Sequence, residues 1–127
     1  MDRILGIDFG TKRIGLAISD ESSQFAFPNG VLEHDKKVLK VIQEICVRDH
    51  VGTVLMGVPI GFSGQETDMT AKARDFGKRL EELGIAVVYV NEVLSTKEAY
   101  RGPTAKESID AAAAAVVLQS FLDRKGV

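Results

Sequence analysis

Tryptophan is absent, cysteine occurs once, and proline occurs three times in 127 residues. The lone Cys46 excludes an intrachain disulfide, and its place on the apolar face of a helical pattern reads as a small buried hydrophobe in a reducing cytosol. No apolar run approaches the roughly 20 residues of a membrane helix. The start, Met1-Asp2-Arg3-Ile4-Leu5, enters a strand without the basic-apolar-small order of a signal peptide. A cytoplasmic protein with no membrane partner is therefore expected. Charge of neither sign dominates: 16 Lys and Arg face 18 Asp and Glu, for a net −2. A sequence-independent nucleic-acid binder is usually basic overall, so such a role has to rest on local patches. Lys12, Arg13, Lys97, Arg101 and Lys106 are the cations nearest in sequence to the acids discussed below. The two histidines, His34 and His50, stand beside Asp35 and Asp49 and read as surface or capping residues. Ser95 and Thr96 have no nearby base and read as helix caps rather than nucleophiles.

What is present is an alternation of strand and helix periods. Ile4 to Phe9 and Ile14 to Ser19 are short apolar strands around Gly10-Thr11-Lys12-Arg13, the pattern of a hairpin. Phe25 to Leu32 contains Pro28, Asn29 and Gly30 and reads as a weaker strand, interrupted or at an edge. From Asp35 onward Val38, Leu39, Val41, Ile42, Ile45 and Cys46 recur at helical spacing. Thr53 to Val58 is a buried-type strand closed by Pro59, and Ile60 to Glu66 reads as a loop. A helix is expected from about Thr67 to Leu83, stopped by Gly84, then a strand from Ala86 to Val90. Capping boxes at Ser95-x-x-Glu98 and Thr104-x-x-Glu107 predict a short helix to about Arg101 and a final alanine-rich helix to about Arg124. The order predicts one α/β domain over 1–127. It has a mixed five-stranded sheet, three antiparallel strands then two parallel, with helices on both faces.

The acids fall at informative places in that order. Asp8 ends the first strand, Glu92 follows the last, and Asp110 opens the final helix. Two carboxylates at strand ends and one on a helix suit an oxygen-ligand site for Mg²⁺ or Mn²⁺, in which a pair of ions activates water and stabilises a leaving oxygen. Lys12 and Arg13 would contact phosphate, with the Gly10-Thr11 backbone close by. Each acid also has a duller use: Asp8 shapes a turn, Glu92 is solvated, and Asp110 complements a helix dipole. Phe9, Phe25, Phe27 and Phe76 read as core, leaving Phe62 as the candidate for an exposed aromatic contact.

With these residues in view, the chain resembles the YqgF (RuvX-like) family. Gly6-Ile7-Asp8-Phe9-Gly10-Thr11-Lys12-Arg13-Ile14-Gly15 is similar to its first motif, and Gly57-Val58-Pro59 to its Gly-Leu-Pro turn. Asn91-Glu92-Val93-Leu94-Ser95-Thr96 resembles its Asp-Glu-Arg-Leu-(Ser/Thr)-Thr segment, and Lys106 with Ile109-Asp110-Ala111-Ala112-Ala113-Ala114 its helix start. The resemblance spans nearly the whole chain. It implies a ribonuclease H-like three-layer fold, with Asp8, Glu92 and Asp110 as catalytic and metal-binding residues. It also implies nuclease activity, on the 5′ end of 16S ribosomal RNA precursors or on Holliday junctions in recombination and repair. Lys12, Arg13, Phe62, Lys97 and Lys106 are then the nucleic-acid-binding candidates, and the partner is structured RNA, as in a ribosomal precursor, or branched DNA. Either a monomer or a homodimer fits.

The sequence departs from that pattern at Asn91, Val93, the loop 60–64 and a shortened stretch 99–106. Gly-Ile-Asp-Phe-Gly-Thr is also similar to the phosphate loop of actin-like kinases, but those enclose nucleotide between two domains, and this chain is too short for both. A catalytically weak RNase H-like binding module is the remaining alternative, for which Asn91 and Val93 speak and Asp8, Glu92 and Asp110 speak against.

Overall fold

The computed structural model describes residues 2–60, 64–93 and 106–125. Strands β1 (Arg3–Asp8), β2 (Arg13–Ser19) and β3 (Ala26–Glu33) are followed by helix α1 (Val38–Arg48). Then come β4 (Val51–Ile60), α2 (Asp68–Glu82), β5 (Val87–Val93) and α3 (Lys106–Lys125). The sheet order is β3-β2-β1-β4-β5. The β1–β2 and β2–β3 pairs are antiparallel and the β1–β4 and β4–β5 pairs are parallel, as the sequence predicts.

Alternation along the strands divides the apolar residues between two layers. Leu5, Ile7, Ile14, Leu16, Val54, Met56 and Val58 face α1 and α2, where Ile42, Phe76 and Leu80 meet them. Ile4, Ala17 and Leu55 face the other way, against Ala114, Leu118 and Leu122 of α3. α3 packs close on β1 because Gly6 has no side chain: a Cβ there would lie 3.1 Å from Cβ of Leu118. Cys46 is buried in the first layer, and burial raises its thiol pKa above the ordinary value, followed by the nearby Asp49 charge.

Local chemistry sets the boundaries. A Cβ on Gly10 would sit 2.3 Å from the Arg13 carbonyl oxygen, so the tight β1–β2 turn requires glycine there. Thr67 caps α2, its hydroxyl accepting from the Thr70 N–H while the Thr70 hydroxyl accepts from the Thr67 N–H. Gly84, at φ +86°, ends that helix.

Four expectations change. β4 continues through Pro59 to Ile60. β1 ends at Asp8 opposite Gly57, so beyond that point proline removes no ladder bond on the β1 side. The Pro59 carbonyl is instead taken by the Thr70 hydroxyl. β5 likewise continues to Val93, so Glu92 lies inside the strand, paired with Pro59, rather than after it. Phe25 and Phe27 are not core but 58% and 52% exposed. β3 is the outer strand, and Phe27, paired with Ile18, faces the side where α1 and α2 lie over β4. His34 is half-buried rather than a surface residue. The predicted short helix at 95–101 and the second capping box lie outside the described residues.

Candidate active site

Asp8 shares a parity with Ile4 and Gly6, which places it on the α3 face of the sheet. Its cross-strand partners are Gly15 on β2 and Gly57 on β4, and Gly57 pairs with Val90 on β5. Partners in register share a face. The sheet therefore presents a row Gly15–Asp8–Gly57–Val90, in which the carboxylate is flanked on both sides by residues without side chains. α3 occupies the space over Gly15: a Cβ there would lie 2.2 Å from the Asp110 carbonyl oxygen and 3.1 Å from Asp110 Cβ. Cross-strand Cβ atoms stand about 5 Å apart, so the Cβ atoms of Asp8 and Asp110 are within about 8 Å of each other. The two aspartates are 5% and 4% exposed.

Glu92 enters by backbone register. It lies two residues beyond Val90 and two strands from Asp8, which sets the Cα atoms of Glu92 and Asp8 roughly 12 Å apart. It is on the parity of the Asp8 row, at the end of the sheet where β1 stops. Among the described residues no three His, Cys, Asp or Glu side chains converge as a preformed metal cluster. The buried pair Asp8 and Asp110 is thus what the described part of the site offers, with Glu92 at its border.

Two buried carboxylates on one face repel each other unless cations accompany them. Arg13 supplies one: its Nε donates to Asp110 Oδ2 at 2.9 Å, with the arginine side chain 32% and the aspartate side chain 6% exposed. The sequence offers Arg13 as a phosphate contact, whereas the structure engages it first with Asp110. An all-oxygen donor set at a partly buried position fits Mg²⁺ or Mn²⁺, which take carboxylates along with water and phosphate oxygens. Asp8, Asp110 and Glu92 are the residues that would hold such an ion.

The other predicted contacts divide. Lys12 is exposed at the β1–β2 turn, and its carbonyl accepts the His34 N–H at 3.0 Å. Lys106 is the first residue of α3. Phe62 and Lys97 lie outside the described residues. Three contributors were missed by sequence reasoning. Gly15 and Gly57 make room around Asp8, and glycine inside a strand was the available signal. His34 holds the turn that follows Asp8 by donating from Nδ1 to the Gly10 carbonyl at 2.8 Å. Its ring stands edge-on to Phe9 and Phe76 at centroid distances of 5.3 and 5.4 Å. No periodicity in the sequence points to that role.

A family model described as RuvX: Holliday junction resolvase matches residues 2–124. A protein of Maridesulfovibrio salexigens, provisionally named a pre-16S rRNA nuclease, is 35% identical over 96% of this chain and 98% of its own. One from an Anaeromyxobacter strain, with the same provisional name, is 38% identical over 97% and 98%. Among solved structures, Thermus thermophilus RuvC in complex with a Holliday junction substrate superposes with a TM-score of 0.59. It covers 100% of this chain and 98% of that one at 16% identity, a likeness of fold.

Proposed function

This chain belongs to the RuvX family, and from that premise we propose that it is a metal-dependent nuclease acting on the 5′ end of pre-16S ribosomal RNA. The observation that carries the proposal is the meeting of Asp8 and Asp110 over Gly15, two buried carboxylates from distant parts of the chain on one sheet face. The names of relatives over nearly the full chain favour RNA as substrate.

The chain's own residues have distinct tasks in this reading. Asp8, at the end of β1 and paired on both sides with β2 and β4, would be the central ligand. Asp110 approaches from α3, oriented by Arg13. Glu92, at its register position on β5, would be the third ligand. Bound Mg²⁺ or Mn²⁺ would activate water and stabilise the departing oxygen. Lys12, exposed on the turn beside Asp8, meets the phosphate backbone and positions rather than selects. Among the described residues no helix is long and apolar enough to cross a membrane.

The test is cleavage of a panel comprising a 16S precursor 5′ end, single strands and a four-way DNA junction, with Mg²⁺ or Mn²⁺. Wild type is run beside Asp8→Asn, which keeps shape and removes one charge. Precursor cleavage lost in Asp8→Asn is the expected result. Cleavage confined to the four-way junction would reassign the substrate to branched DNA. Binding without cleavage in both proteins would identify a binding module, and equal cleavage in both would remove Asp8 from the site.

A further inference from the structure

The opposite side of the β1–β2 turn carries a second feature that the catalytic row does not use. Between α1, α2 and this turn lies an open cleft of about 530 Å³, within the size range of small-ligand sites. Its floor is apolar: Phe9 and Phe76, both 5% exposed, and the half-buried His34 ring. Its rim is mostly cationic, with Lys36 from the segment before α1 and Lys72 and Arg79 from α2. Asp35 and Asp75 also reach the rim, but both are engaged. Asp75 Oδ2 accepts from Arg79 Nε at 3.1 Å, and Asp35 Oδ1 accepts the Lys37 N–H at 2.9 Å. Lys36 and Lys72 form no ion pair among the described residues.

A half-buried imidazole ring on an apolar floor, under unpaired lysines, is complementary to a nucleobase carrying a phosphate. The cleft is also continuous with the site. Thr11 lines it, Lys12 follows at the exposed tip, and Asp8 directly precedes Phe9 on the other face of the sheet. A strand crossing the turn would therefore have a phosphate near Asp8 and a nearby base over the cleft. We propose that this cleft is a subsite for one unpaired nucleotide of the nucleic-acid substrate, its base against the half-buried His34 ring, which Phe9 and Phe76 back, and its phosphate between Lys36 and Lys72. The proposal rests on the nuclease reading for the identity of the strand. It adds a requirement that duplex alone does not meet: one base near the cleavage point must be out of the stack.

The occluding variant is Ala71→Trp. Ala71 is an exposed residue that lines the cleft on α2, so an indole there fills the mouth without altering a charge. In a chain without tryptophan its emission also reports whether the ring is buried. The probe is a labelled single-stranded RNA octamer in metal-free buffer, compared by anisotropy with a series carrying one abasic position each. One abasic position should weaken wild-type binding by about fivefold or more, the lower range for loss of a stacked base. Ala71→Trp should weaken the intact octamer to that level and erase the position dependence. Lys36→Glu with Lys72→Glu should weaken intact and abasic octamers alike. Unchanged affinity in a folded Ala71→Trp protein, or no abasic position that matters, overturns the subsite. Cleavage of the 16S precursor by the same proteins separates the two ideas. Wild-type cleavage without an abasic effect removes the subsite and leaves the nuclease. An abasic effect without wild-type cleavage keeps the subsite and removes the nuclease.

Discussion

Alanine at Gly15 would test how the row through Asp8 is built, because its single added carbon meets backbone and nothing that can swing aside. That Cβ would lie 2.2 Å from the Asp110 carbonyl oxygen and 2.5 Å from its carbonyl carbon. A comfortable carbon–oxygen contact is about 3.3 Å, so the start of α3 has to retreat by about 1 Å. Gly15 is not one of the glycines with positive φ, so alanine adds no dihedral strain and the effect is one of space alone. Overpacking of this kind costs about 1–3 kcal/mol, or roughly 3–10 °C in Tm for a chain of this size. The same 1 Å carries Asp110 away from Asp8, and misplacement on that scale lowers turnover by about 100-fold.

Gly6→Ala is the matched control. Its Cβ would meet Leu118 Cβ at 3.1 Å, two turns further along α3, so it should cost less stability and leave cleavage within about threefold of wild type. Thermal melts by circular dichroism and single-turnover cleavage of the 16S precursor read the two effects separately. Wild-type melting and cleavage in Gly15→Ala would refute the placement of α3 on this row. Equal loss of cleavage in Gly6→Ala would show that stability, rather than the position of Asp110, controls the rate.

Arg13→Ala removes the partner of a nearly buried Asp110; discounted for the partly exposed arginine, about 1 kcal/mol of stability should be lost in metal-free urea melts. Saturating Mg²⁺ should restore most of that loss, since the ion supplies the missing positive charge, and a loss indifferent to Mg²⁺ would contradict the metal site. Thr70→Val leaves the buried Pro59 carbonyl without its hydroxyl donor and should cost about 1–3 kcal/mol in the same melts, whereas wild-type stability would show the bond to be dispensable. Asp20 has its carboxyl pKa lowered, first by the Ser22 hydroxyl and then by backbone N–H groups of its turn. A depressed carboxylate stabilises the fold above its unfolded pKa, about 3.9, and that contribution disappears as pH falls through the folded value. Asp20→Ala should therefore flatten the acid limb of the stability profile below about pH 4, and a parallel profile would refute the assignment.

Much of this was legible because strand and helix periods report burial directly. Both layers of the core follow from alternation in β1, β2 and β4 and from helical spacing in α1, and the turn glycines mark where elements stop. Asp8 and Asp110 could be picked out because an acid ending an apolar strand and an acid beside an alanine run are each unusual. What pattern does not carry is the third dimension. Pro59 reads as a stop, but its carbonyl is claimed by Thr70 from another element, so β4 passes through it and extends β5 past Glu92. Phe25 and Phe27 have the periodicity of a buried strand, yet α1 and α2 lie over β4 and leave the Phe27 side of β3 open, while α3 covers the opposite face. Arg13 and Asp110 are 97 residues apart, and no local rule links them.

That separation also sets the order in which the protein becomes whole during synthesis. A nascent chain that has emerged only as far as β5 carries Asp8 and Glu92 on a sheet whose α3 face is bare. It lacks Asp110, the partner of Arg13, and the apolar cover of Leu118 and Leu122. The two buried aspartates come together in the same event that closes the second core layer.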